Sequence, residues 1–319
     1  MISVLLAALA VGFHQDSSSH IRFIVTGDDR WNTGHPRAGD ENGVNVGGFS
    51  RVVKAMLDEK PNAVLINGDL VGGGETDAEE TSQFDTWFKV MAPVYAAKIT
   101  VLPIRGNHEM HCPHPDDVWK KAMSGPHAVP GTGDAINYTY NLGNIMFVGV
   151  DVVGKPAQVT SQAWLDGVLK KPHPAHVFTF AHKMAFFSGN HDDGMFTEPG
   201  PRDAFMNSLK DAGVRVVFFG HDHLYDHLSA KLPAWSDDQA IHQFVIGTAG
   251  APFVKGKTLT TTDQNWALTR VKHAEQQLGY CVVDVDGPKV TIVYKSETSP
   301  QHFETIDTFS YTQTATSAR

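Results

Sequence analysis

"VRVVFFGHDH", residues 214–223, runs through β-branched and aromatic residues and then stops on a glycine followed by two histidines that flank an aspartate. A nearly unbroken apolar run of this length reads as a strand buried on both faces, as in sheets covered by helices. The glycine allows the chain to turn sharply off such a sheet. His221 and His223 would then stand beyond the strand's carboxyl end, where open α/β sheets collect their functional groups.

The same punctuation recurs along the chain. "IRFIVTGD" ends on Asp28, "NAVLINGD" on Asp69, "TVLPIRGN" on Asn107 with His108 behind it, and "HVFTFAH" on His182. "IMFVGVD" and "HQFVIGT" are further strands of the same kind. Between them, apolar residues at three- and four-residue spacing predict helices over about 48–59, 81–94, 116–123, 161–170 and 202–212. Strands alternating with helices give an α/β fold. After His221 the chain turns strand-rich, and "YCVVDVDGPKVTIVYK" reads as a hairpin around Asp286 and Gly287. A sheet completed or a second sheet added at this end makes a two-sheet α/β/β/α sandwich the expected architecture.

The strand ends therefore deliver Asp28, Asp69, Asn107, His182, His221 and His223 to one edge. Oxygen and imidazole donors without a thiolate suit Mn, Fe or Zn in a site open to water. Taken singly, Asp28 and Asp69 read more simply as turn aspartates, and a core histidine is the competing account of His182; the ordered set is what points to metal. For His182 the competing ligands are His176 and His191. His111, His114, His127, His173 and His227 read as surface histidines or as imidazoles that support the ligands. Cys112, close behind "GNHE", reads as a small packing residue.

Composition narrows the partners. The 319 residues carry 35 acidic and 26 basic side chains, a formal charge of -9, with no long run of either sign. That disfavours nucleic-acid polymers, and an anionic substrate would have to be drawn in by a local positive centre. Cys112 and Cys281 are too few for a disulfide framework and lack the spacing of a structural zinc site; a single bridge and two free thiols both remain open. Residues 1–13 are apolar but too short for a membrane span, and a Ser-rich polar stretch follows. Residues 1–19 therefore read as an export signal and linker, although no Lys or Arg precedes the apolar run, and residues 20–319 as a single domain in an extracytoplasmic protein. "APFVKGKT", 251–258, falls short of a P-loop because Gly250 lies one residue too early. No GxSxG or HExxH motif is present to support a serine esterase or a zincin.

Over about residues 23–228 the ordered motifs "GDD", "NGD", "GNHE", a lone His after a strand, and "GHDH" resemble the calcineurin-like metallophosphoesterase family. "GHDHLYDH" and "GTAGAP" lean toward its purple acid phosphatase branch. The resemblance implies a dinuclear centre of divalent or trivalent metals. Asp69 would bridge them, with Asn107, His182 and His221 completing one metal and Asp28 and His223 the other. It implies direct attack on phosphorus by a metal-bridging hydroxide, with His108 protonating the leaving oxygen. Small phosphomonoesters are the expected substrates. A phosphodiesterase or nucleotidase on the same core, or a module that binds metal or phosphate without turnover, are the alternatives.

This sequence departs from the family at one metal. Where the family has Asp-x-His, or a Tyr three residues after the bridging Asp, the chain has Arg30 and Gly72. Arginine stays protonated and cannot coordinate a metal. Unless Asn32 or His35 substitutes, the expectation is a weak, exchangeable first metal without tyrosinate colour. Arg30 itself could clamp a phosphoryl group, as a second catalytic residue beside His108, or pair with Asp29 or Glu41.

Overall fold

The structure, a computed structural model, describes residues 20–31, 41–258, 262–263 and 265–313. The candidate export signal and the substitute ligands Asn32 and His35 lie outside the described residues.

The chain lays down strand β1 (Ile21–Thr26), helix α1 (Val46–Asp58), β2 (Ala63–Asn67), α2 (Asp77–Ala96), β3 (Thr100–Ile104) and α3 (Pro115–Ala122). Next come β4 (Thr132–Gly133), β5 (Tyr138–Leu142), β6 (Ile145–Gly149), α4 (Gln162–Leu169), β7 (His176–Phe180), α5 (Pro199–Asp211) and β8 (Val216–Phe219). Seven strands close the chain: β9 (Tyr225–Lys231), β10 (Ile241–Ile246), β11 (Thr262–Asp263), β12 (Trp266–Ala274), β13 (Gly279–Asp286), β14 (Lys289–Ser299) and β15 (His302–Thr312).

They form two mixed sheets, ordered β15-β14-β13-β1-β2-β3 and β11-β12-β9-β10-β8-β7-β6-β5-β4. Both contain a parallel run, β1-β2-β3 at one end of the first and β6-β7-β8-β10 in the middle of the second. Three apolar clusters separate four layers. One lies between the sheets, where Phe23 meets Phe147 and Phe178 edge-on with centroids 5.0 and 4.9 Å apart. The second packs α1, α2 and α3 on the first sheet, and the third packs α4 and α5 on the second. This is the α/β/β/α sandwich expected from the sequence. The predicted hairpin is β13 and β14, and it extends the first sheet through antiparallel pairing of β13 with β1.

The helices fall within a few residues of their expected places, and capping explains the differences. Helix α2 begins four residues early because Thr76 and Glu79 form a reciprocal capping box. Helix α5 begins at Pro199, whose fixed φ suits a first helical turn. Strands β9 and β12 escaped the sequence reading because their residues alternate polar with apolar only weakly. Among the described residues no helix is long and apolar enough to cross a membrane.

Both cysteines are free and buried, Cys112 within the helical cluster on the first sheet. His227 corrects its expected placement. It is fully buried, stacks on Phe244 at 4.0 Å and hydrogen-bonds Asp307 and His242 at 2.8 Å, as part of the packing rather than of a surface or the site.

Candidate active site

The parallel runs of both sheets end at the same edge, and their last residues are stitched together. The Asn67 side chain donates to the Phe219 carbonyl at 3.1 Å, and the Gly220 N–H donates to the His182 carbonyl at 3.0 Å. Asp28, Asp69 and His221 leave their strands with φ of 58°, 53° and 72°. Left-handed backbone costs a non-glycine residue about 1–2 kcal/mol, and such strain persists where surrounding structure holds it for function. Gly68 and Gly220 make the bends sterically feasible. A Cβ on Gly68 would lie 2.6 Å from His182 Nδ1, and one on Gly220 would lie 2.4 Å from an Asp28 oxygen.

Asp69 sits at the middle of the arrangement and its two oxygens face different groups. Oδ1 accepts the His108 N–H at 3.0 Å and lies 3.2 Å from His182 Nε2. Oδ2 accepts Arg30 Nε–H at 3.1 Å and lies 3.9 Å from His108 Nε2. Asp28 approaches from the neighbouring strand end, where its carboxylate accepts the His221 N–H at 3.0 Å and lies 3.6 Å from His223 Nε2.

The tautomers follow from the outer partners. His182 Nδ1 donates to the Asn67 carbonyl at 2.8 Å, and burial pushes the ring's pKa down to about 3. The neutral ring then presents a bare Nε2 lone pair, 3.1 Å from Asn107 Oδ1 and 3.2 Å from Asp69 Oδ1. Three acceptors converge without a donor between them, an arrangement that a cation satisfies. Asp28, Asp69 and His182 bring ligand atoms within 4.8 Å of one another, so the residues present fit a metal ion at this position. His223 is turned the same way, its Nδ1 donating to the Pro252 carbonyl at 2.7 Å, and His221 Nε2 donates to Asp193 at 2.7 Å.

Charge is concentrated here. Burial and the neighbouring Asp69 push the Asp28 pKa well up. Burial also opposes charge on Asp69, but His182, His108 and Arg30 outweigh it and hold that carboxylate well below its usual range. Two buried carboxyl groups thus oppose each other's ionisation with one arginine beside them, a conflict that a bound cation relieves.

All the predicted residues are at this edge. Arg30 is buried and pairs with Asp69, while Asp29 faces away and accepts Trp87 Nε1–H at 2.5 Å. His176, a rival to His182, caps the far end of β7 and bonds the Gly287 carbonyl at 2.8 Å. His191, the other rival, stands at the rim with its ring 4.3 Å from that of His221 and its Nδ1 on Asp222. The centre opens into a cavity of about 330 Å³, with His108, His111, Lys155 and His191 among its walls.

Sequence reasoning missed three supporting residues. Glu109, fully buried, accepts the N–H groups of Asp69 at 3.1 Å, Val71 at 3.0 Å and Gly106 at 2.5 Å, and so fixes the loops that carry Asp69 and Asn107. Its place in "GNHE" was the available signal. Asp193 and Lys183 pair at 2.9 Å behind His221, and nothing in their loop's sequence marks them. Both oxygens of Glu109 accept, so an amide nitrogen there would confront an N–H. Glu109→Gln is expected to weaken metal binding about 10–100-fold, the usual cost of losing a group that holds ligands in place. Metal titration of the folded variant checks this, and unchanged affinity would contradict it.

Residues 21–225 match the calcineurin-like phosphoesterase family. A nucleotide pyrophosphatase/phosphodiesterase of Hordeum vulgare is 26% identical over 216 residues, covering 59% of this chain and 58% of that protein. Among solved structures, a purple acid phosphatase from yellow lupin (Lupinus luteus) superposes with a TM-score of 0.70 at 16% identity, covering 92% of this chain and 54% of that one. A dimetal phosphatase from Danio rerio superposes with a TM-score of 0.56 at 13% identity, covering 92% and 99%. The chain thus spans somewhat over half the length of the barley and lupin proteins. With the family match covering most of the sandwich and every strand-end motif up to "GHDH", the chain belongs to the calcineurin-like phosphoesterase family.

Proposed function

We propose that the chain hydrolyses small phosphomonoesters at a metal centre held by Asp69, Asn107, His182 and His221, with Asp28 within reach. The convergence of His182 Nε2, Asn107 Oδ1 and Asp69 Oδ1 carries this reading. Mn, Fe or Zn fit this set of oxygen and imidazole donors. A metal held there supplies Lewis acidity toward water and the phosphoryl oxygens.

The chain's own residues do the rest. His108 Nδ1 donates to the Gly72 carbonyl at 2.7 Å, which fixes the ring so that Nε2 faces the centre, where a leaving oxygen would depart. Arg30 and Lys155 bring positive charge to the cavity wall beside Asp69 and Asp193, which gives an anionic substrate local partners in a chain of formal charge -9. At about 330 Å³ the cavity is at the small end of ligand pockets, which favours a compact monoester over a bulky diester. The diester reading rests on the barley relative, named a phosphodiesterase. An extracytoplasmic location rests on the apolar segment at residues 1–13.

Chain loaded in turn with Mn, Fe and Zn should hydrolyse p-nitrophenyl phosphate faster than bis(p-nitrophenyl) phosphate, and chelation should abolish the activity. Preference for the diester would move the assignment to a phosphodiesterase. Metal binding without hydrolysis of either would leave a binding module.

A further inference from the structure

The position of Arg30 bears on how many metals this centre takes. A bridging carboxylate presents one oxygen to each of two cations. Asp69 is oriented this way, but only one of its sides is arranged for metal. On the Oδ1 side stand His182 Nε2 at 3.2 Å and, beside it, Asn107 Oδ1. On the Oδ2 side stands the guanidinium of Arg30, with Nε 3.1 Å from Oδ2 and Nη2 3.3 Å from His223 Nε2.

Donors and acceptors match at the contacts with Asp69 and His223. His223 spends its Nδ1 proton on the Pro252 carbonyl at 2.7 Å, so its Nε2 is an acceptor, and the arginine supplies the N–H that points at it. Asp69 Oδ2 likewise receives an N–H. The guanidinium is thus hydrogen-bonded to two of the three groups that would surround a second metal, Asp69 and His223. The third, Asp28, lies 3.6 Å from that same His223 nitrogen. The side chain is 7% exposed, so the charge is part of the interior and not a surface arm folded inward.

A second observation concerns the opposite wall. A Cβ on Gly72 would lie 2.4 Å from the Trp31 carbonyl oxygen. Trp31 is itself buried, with its N–H on the Gly43 carbonyl at 2.9 Å. The backbone after Arg30 has therefore closed over the space that a side chain at position 72 would need. Neither position 30 nor position 72 contributes a ligand, and the space between Asp69 Oδ2 and His223 already holds a permanent cation.

We infer that this is a mononuclear centre in which the Arg30 guanidinium takes the place of the second metal, as a fixed positive charge that no chelator removes. Arginine supplies charge and directed N–H groups toward a phosphoryl oxygen, but no exchangeable coordination position. The inference rests on the metal-centre reading above and specifies its composition.

Metal stoichiometry tests it without reference to turnover. Wild-type chain saturated with Mn and freed of excess should hold one equivalent by elemental analysis. Its electron paramagnetic resonance spectrum should be that of an isolated ion, without spin coupling between neighbours. Two tightly held equivalents, a spin-coupled spectrum, or no retained metal would each overturn the inference, and these wild-type measurements need no variant to fold. Arg30→His restores a nitrogen donor beside Asp69 and His223 and should raise the content to two equivalents; one equivalent in a folded Arg30→His would show that the guanidinium is not what excludes the second. In the wild-type chain, two equivalents with hydrolysis intact would refute the inference and spare the phosphoesterase reading. One equivalent with neither model ester hydrolysed would do the reverse.

Discussion

Asp69→Asn is expected to lower kcat/KM on a phosphomonoester by about 10²–10⁴ and to strip the centre of tightly held metal. The size follows from the two faces of this carboxylate. Removing one partner of a buried ion pair costs about 3–5 kcal/mol because the other charge is left uncompensated, and each 1.36 kcal/mol is about tenfold in any equilibrium the charge controls. An Asn at this position retains a single acceptor oxygen. If it faces His182, the amide nitrogen confronts the Arg30 guanidinium, now held 3.1 Å away. If it faces Arg30, the nitrogen takes the place of an acceptor beside His182 and against the His108 N–H. Neither rotamer satisfies both sides. Metal content and kcat/KM measured on the folded variant check the expectation, with a thermal melt to separate site damage from unfolding. Wild-type values for both would mean that Asp69 does not organise the centre.

Those two faces were only half legible in the sequence. Glycine followed by Asp, Asn or His after a β-branched run encodes both a sharp exit and the residue it delivers, which is why Asp28, Asp69, Asn107, His182, His221 and His223 could be placed at one edge before any geometry was known. The sandwich was legible for the same reason, since buried parallel strands read as continuous apolar runs while amphipathic helices read with a period near 3.6. Arg30 shows the limit. Its two-residue offset from Asp28 allowed a phosphate clamp or a surface pair with Asp29 or Glu41. That Asp29 instead bonds Trp87 on α2, and that Arg30 points at Asp69 and His223, depends on contacts 39 to 193 residues apart along the chain. Asp193 and Lys183 were invisible because the loop between β7 and α5 has no hydrophobic period. Lys183 meets Asp193 only when that loop folds back on itself, and Asp193 meets His221 only once β7 and β8 are adjacent.

His108→Asn is expected to slow hydrolysis of an alkyl phosphate by about 10²–10⁴, the usual contribution of a positioned proton donor, and to slow an aryl phosphate much less. The difference lies in the leaving group. An alkoxide needs a proton as the bond to phosphorus breaks, whereas a nitrophenolate departs as a stable anion. Protonation of the ring sets the pH dependence. Burial pushes the His108 pKa down to about 4, with Asp69 pulling it up and Arg30 pushing it further down. Above that value the free enzyme holds a neutral ring, with its proton on Nδ1 toward the Gly72 carbonyl and none on Nε2. The fraction able to donate from Nε2 therefore grows about tenfold for each unit that pH falls, and levels off near 4. For wild type, kcat/KM on the alkyl ester should climb toward acid relative to the aryl ester, and in His108→Asn that relative climb should vanish. Equal losses on both esters, with the wild-type pH dependence retained, would show that His108 steadies the phosphoryl group without protonating the leaving oxygen.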